Sequence, residues 1–85
     1  VVEAAARDHA ENGRAAAGVP ADFSLESIRQ RYIELLQERK TGAGEVQRLV
    51  EDRLVWIARY AKDIAWWELA VDDQSGRVVR VQRSR

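Results

Sequence analysis

Apolar side chains recur over residues 25–36 at the three- and four-residue spacing of a helix: Leu25, Ile28, Tyr32, Leu35 and Leu36, with Ile33 widening the stripe. Ser24 stands before that run and Glu26 within its first turn, a capping hydroxyl and a carboxylate suited to the positive end of a helix dipole. Arg39 and Lys40 suit the opposite end, and Thr41-Gly42 allow an exit through a left-handed residue. The pattern predicts a helix over 25–40, with Ser27, Gln30, Arg31, Glu34, Gln37 and Glu38 on its solvated face.

Gly42-Ala43-Gly44 is so short that the next element must fold back on the first. A second helix is expected over 45–65. Plotted at about 100° per residue, its apolar residues Val46, Leu49, Val50, Leu54, Trp56, Ile57, Tyr60, Ala61 and Ile64 cover an arc of about 200°. One neighbour calls for a stripe nearer 100°, so this element needs two. Glu68 would enter the apolar arc if the helix ran on, which places its end near 65–66. From Trp67 to Val71 and from Arg77 to Val81 the sequence alternates, and the stretch between them reads as a turn, with Asp73 three residues before Gly76. A β-hairpin of strands 67–72 and 77–82 follows. Alone it would be marginal in water, so it must lie on the helices or pair with another edge.

Ahead of Ser24, residues 1–11 hold good helix formers with only small apolar side chains, and 12–22 read as a connector punctuated by Asn12-Gly13 and Gly18-Val19-Pro20. The expected fold is therefore α+β and mainly α, one domain over 1–85. It has a loosely docked amino-terminal segment (1–22), an antiparallel helical hairpin (25–65) and a carboxy-terminal β-hairpin (67–82). Its core would be Leu25, Ile28, Tyr32, Leu35, Leu36, Val46, Leu49, Val50, Leu54, Trp56, Ile57, Tyr60, Ala61 and Ile64.

Composition narrows the function classes. The chain has 85 residues, room for one core. Fourteen basic residues balance fourteen acidic ones, which excludes a uniformly basic nucleic-acid module and a polybasic membrane anchor. Twelve of the basic residues are arginine, a bias read as codon usage of a GC-rich genome rather than a demand for planar cations. With no cysteine there is no disulfide, thiolate nucleophile or Cys-ligated metal. No apolar run approaches the roughly 20 residues that span a bilayer, and no signal pattern opens the chain, so a cytoplasmic location is the default expectation. A start at Val1 and the lack of methionine point to a chain trimmed from something longer.

Catalysis finds little support. His9 is the single histidine; Asp8 or Glu11 could pair with it, but no nucleophile sits in a supporting motif. There is no glycine-rich phosphate loop, and Asp72-Asp73 lacks the further oxygens of a calcium loop. A non-enzyme without cofactor, metal or small-molecule substrate is expected.

Three features remain. Arg77, Arg80, Arg83 and Arg85 crowd the last nine residues without an acid among them. That order, a hairpin after helices with a basic second strand, resembles the wing of a winged-helix regulator that reaches nucleic acid. Four carboxylates on the preceding helix, Glu45, Glu51, Asp52 and Asp63, argue against it, and the arginines can instead offset Glu68, Asp72 and Asp73. Adjacent Trp66 and Trp67 cannot both enter one core, whether helical or extended. An exposed indole presents about 200 Å² of mostly apolar surface and often marks an interface. Arg53 lies inside the apolar arc and needs a carboxylate or an aromatic face, with Glu26 and Glu34 as candidates across the hairpin.

The favoured reading is a small non-catalytic protein–protein interaction module, a homodimer or a subunit of a larger assembly, with Val55, Trp66, Trp67 and Arg53 in the partner contact. The alternative is a nucleic-acid-binding regulator of winged-helix type using Arg77, Arg80, Arg83 and Arg85. A third, an inhibitor or antitoxin-like partner docking through acidic residues 63–73, differs from the first only in its partner.

Overall fold

Strands, not helices, occupy both long amphipathic segments. The computed structural model describes residues 2–85; Val1, the first residue of the 1–22 segment, lies outside them. Among the described residues one helix, α1 (Glu3–Ala17), precedes strands β1 (Ser24–Lys40), β2 (Val46–Lys62), β3 (Ala65–Asp72) and β4 (Val78–Arg83). The strands form one antiparallel meander in the order β1-β2-β3-β4. The mainly α fold and the helical hairpin expected over 25–65 are thus overturned, and with them the winged-helix comparison.

The reason lies in β2. It is an interior strand with neighbours on both edges, and its two sides are both apolar. Trp56, Ala58 and Tyr60 point to one face, Val55 and Ile57 to the other. An arc of about 200° on a helical wheel is what a strand with apolar residues on both faces looks like when wound at the wrong period. β-branched and aromatic residues at 46, 50, 55, 56, 57 and 60 suit it. In β1 the Leu-, Glu-, Gln- and Arg-rich composition favours helix, and pairing with β2 overrides that weak preference.

Turn chemistry sets the connections. Between β1 and β2 the amide of Gly44 donates to the Thr41 carbonyl and that of Thr41 to the Glu45 carbonyl. β2 and β3 are joined by Asp63-Ile64 alone, with Asp63 at φ 54°, a left-handed conformation that a short polar side chain tolerates. Between β3 and β4, Asp72 accepts from the Ser75 amide through its side chain and from the Gly76 amide through its carbonyl, and Gly76 takes φ 72°.

α1 runs straight through Asn12-Gly13 and ends at Gly18, so the helix extends six residues beyond the expected boundary at 11. The amides of Gly18 and Val19 close its last turn on the carbonyls of Ala15 and Arg14. Gly13 lets the helix approach the sheet, since a Cβ there would sit 3.1 Å from Val78 Cγ2. Ala10 of the helix packs with Val19, Ala58, Tyr60, Leu69 and Val71, flanked by Phe23, Leu25, Ile28, Trp56, Trp67 and Val78. On the opposite, open side Ile33, Val55, Ile57 and Ala70 form a second cluster with Leu35 and Val79. Tyr32, Leu36, Val46, Leu49, Val50 and Ile64, all expected in the core, are exposed instead.

Candidate interaction surface on the β1–β2 arm

β1 and β2 are each 17 residues long, against 8 for β3 and 6 for β4. β3 pairs with β2 only from Val55 to Lys62, so the hairpin beyond Val55 projects as a two-stranded arm, and with it the molecule measures 49 Å in its longest extent. Paired residues of antiparallel strands share a face. On the side that α1 covers lower down, the arm carries Tyr32 opposite Leu54, Glu34 opposite Asp52, Leu36 opposite Val50, Glu38 opposite Arg48 and Lys40 opposite Val46. Tyr32, Leu36, Val46 and Val50 are 70%, 62%, 55% and 67% exposed. Four large apolar side chains in a row on one face form a patch of the kind that marks interfaces.

The arm's charges are arranged along its length. Glu34 and Asp52 face each other across the strands, and neither has an ion-pair partner among the described residues. Toward the tip, Arg48 lies 3.4 Å from Glu38. At the shoulder where β3 parts from β2, a concavity of about 290 Å³ is lined by Tyr32, Glu51, Asp52, Arg53, Leu54, Asp72, Asp73 and Gln74. Its acids are held in place: Asp73 accepts from Trp56 Nε1 at 2.9 Å and Gln30 Nε2 at 3.1 Å. Asp72 is buried and accepts from Arg53 Nη2 at 2.9 Å. Burial works against ionisation of Asp72, but the Ser75 amide and the Arg53 guanidinium outweigh it and hold the carboxyl below the usual range. Among the described residues no three His, Asp or Glu side chains converge to hold a metal ion.

The residues singled out from the sequence fall on several surfaces. Val55 is fully buried in the open-side cluster and offers a partner nothing. Trp66 and Trp67 point to opposite faces, as neighbours in a strand must, and both are half-buried. Arg59 stacks 4.9 Å from the Trp66 ring, and Trp67 lies beneath Gly18 with Arg83 5.4 Å from its ring. Arg53 pairs with Asp72 and, at 3.6 Å, Glu51, in place of Glu26 or Glu34. Glu26 and Glu68 converge on Arg59. The acidic stretch 63–73 is thus largely engaged within the subunit.

The basic strand is dispersed too. Arg77 follows the turn, Arg80 pairs across to Ala70 on the open side, and Arg83 lies on the helix side. Arg85 is exposed at the end. His9 sits on α1, its ring against the turn at Gly76. The arm's apolar row escaped the sequence reading because its members had been assigned to a helical core. Neither Tyr32–Leu36 nor Val46–Val50 alternates between apolar and polar residues, so no strand period marked the row in the sequence. In comparisons with known proteins the chain matches no family, no curated protein and no solved structure. Among the described residues no helix is long and apolar enough to cross a membrane.

Proposed function

We propose that this chain is a non-catalytic protein–protein interaction module that self-associates through the helix-side face of its β1–β2 arm. The row Tyr32, Leu36, Val46 and Val50 carries the reading: apolar side chains more than half exposed, on an arm that no other described element covers. The tryptophans, once the leading candidates, are half-buried under arginines and the helix cap, so the arm replaces Trp66 as the contact to test.

Sedimentation equilibrium is the direct test. The wild type should shift from 9.7 kDa toward twice that mass over the micromolar range. Tyr32→Ala should weaken the association by about 2 kcal/mol, roughly 30-fold in Kd. Leu36→Lys together with Val50→Lys should leave a folded monomer by circular dichroism. A wild type that stays monomeric at high micromolar concentration overturns the proposal.

One observation favours a second reading on the other face. Arg29, Arg31 and Arg80 register on the open side beside Ile57, Val55 and Ala70, and none has an acidic partner among the described residues. Single-stranded nucleic acid could use such a surface. Binding there must fall steeply with salt, and replacing the three arginines by alanine must flatten that slope; no binding at low salt removes it.

A further inference from the structure

We propose that two copies pair through the free outer edges of β1, antiparallel about a two-fold axis at Tyr32, so that their two sheets become one. This rests on the self-association reading above and gives it a geometry.

The backbone of β1 carries the inference. β1 has β2 along one edge and, among the described residues, no strand along the other, over 17 residues without a proline. The Thr41 amide donates to the Glu45 carbonyl, which makes these two a hydrogen-bonded pair of the hairpin. Such pairs alternate along an antiparallel ladder, so the odd-numbered residues from Arg29 to Arg39 bond to β2. The even-numbered residues from Ile28 to Lys40 then turn both N–H and C=O to the outer edge. A row of this kind is a template for another strand, and edges are commonly blunted by shortness, bulges, proline or lysine. β4, the opposite edge, is short at 6 residues. β1 is long, its one break in register falls at its base beside Glu26, and its one lysine is Lys40 at the tip.

The side chains of β1 fit a second copy of β1. Past the bulge, the antiparallel registers that pair most of 27–40 with itself are centred from Arg31 to Leu36. Centres at Arg31 and Glu34 set that residue against its own copy; a centre at Leu35 sets Arg31 against Arg39, and one at Leu36 sets Glu34 against Glu38. Tyr32 and Ile33 are the centres that keep like charges apart. About Tyr32 the helix-side row also matches in kind: Tyr32 meets Tyr32, Ile28 meets Leu36 and Gln30 meets Glu34. About Ile33, Ile28 would meet Glu38 and Leu36 would meet Gln30. On the open side the Tyr32 register lays the stems of Arg29 and Arg31 beside Leu35 and Ile33. Its next pair outward is Glu26 with Glu38, at the bulge where pairing ends; Arg59 holds the first at 3.5 Å and Arg48 the second at 3.4 Å. From Ile28 to Leu36 the two strands exchange about ten hydrogen bonds, and each copy repeats the other's contacts, as a closed two-fold dimer requires.

The experiment separates backbone from side chain at one position of the full chain, read by sedimentation equilibrium. Glu34→Pro removes an N–H that points away from β2, so the subunit should stay folded by circular dichroism while the dimer Kd rises about tenfold or more. Glu34→Ala keeps that N–H and should stay within about threefold of the wild type. Because the sequence has no cysteine, a single one reports the register. Oxidised Tyr32→Cys, at concentrations where it is dimeric, should form an interchain disulfide, since directly opposed Cα atoms lie about 5.5 Å apart. Leu36→Cys should not, because its two copies lie far apart along the strands. A Glu34→Pro dimer as tight as that of Glu34→Ala, or a Tyr32→Cys dimer that does not crosslink, overturns the edge pairing while self-association stands. Should Glu34→Pro fail to fold, the crosslink decides. A monomeric wild type overturns both.

Discussion

Tyr60 and Tyr32 sit on the same side of the same sheet, in neighbouring strands, yet Tyr60 is fully buried and Tyr32 is 70% exposed. Around Tyr60 the body is four strands wide and capped by α1. Its ring lies under the Arg14 guanidinium at 4.4 Å, and its hydroxyl donates to Glu11 at 3.1 Å. Arg14 in turn donates to the carbonyls of Pro20 and Phe23, tying the loop after the helix to the same centre. Around Tyr32 the sheet is two strands wide and the helix no longer reaches. Side chains on one face of one sheet thus meet opposite fates, and strand length decides which. Two strands that outrun their neighbours expose in the arm what they bury in the body.

The sharpest way to break the comparison is to truncate one apolar side chain in each region and measure urea unfolding. Leu69→Ala, in the fully buried body, should lose about 3 kcal/mol. Leu36→Ala, in the arm, should stay within about 0.5 kcal/mol for the isolated subunit. Equal losses would mean the arm is part of the folding core.

At the shoulder between the regions, Asp72→Asn should lose about 2 kcal/mol, since it weakens the hold on Arg53 and on the Ser75 amide. The folded-state pKa of Asp72 lies below its unfolded value, so its contribution is complete above pH 4 or so. It is lost as pH falls through the folded value, and pH-dependent melting of the Asn variant should show a shallower acid limb. In the body, burial and then the Glu11 hydrogen bond raise the pKa of Tyr60. Its contribution is whole below about pH 10 and drains away as pH rises beyond, a limb that Tyr60→Phe should remove.

A smaller effect tests how the helix is seated. Gly76→Ala should lose about 1–2 kcal/mol, from a left-handed φ and from a Cβ placed 2.6 Å from His9 Nε2. Adding His9→Ala should recover only the steric part. Full recovery would show that the backbone conformation there is free to change.

Local chemistry in this chain was readable from a few residues at a time. Asp72 to Gly76 announce their turn because a carboxylate and a glycine meet the needs of four consecutive backbones. Gly42-Ala43-Gly44 mark a reversal whichever element flanks them. Trp66 and Trp67 had to part because adjacent side chains diverge. The Asp63-Ile64 turn was missed for the converse reason: it uses no glycine, and it sits between apolar residues that continue a plausible helical stripe. Gly13 looked like a breaker, while its missing Cβ serves the close approach of helix to Val78.

The sequence by itself therefore determined where the chain reverses, which neighbours must oppose one another, and that the 46–64 segment needs cover on two sides. Only the tertiary structure decided that 25–62 is extended and that its apolar surplus falls on the arm. Helix and strand preferences differ by a few tenths of a kcal/mol per residue, whereas the pairing of Tyr32 with Leu54, or of Tyr60 with Trp67, depends on segments that meet only in the folded chain.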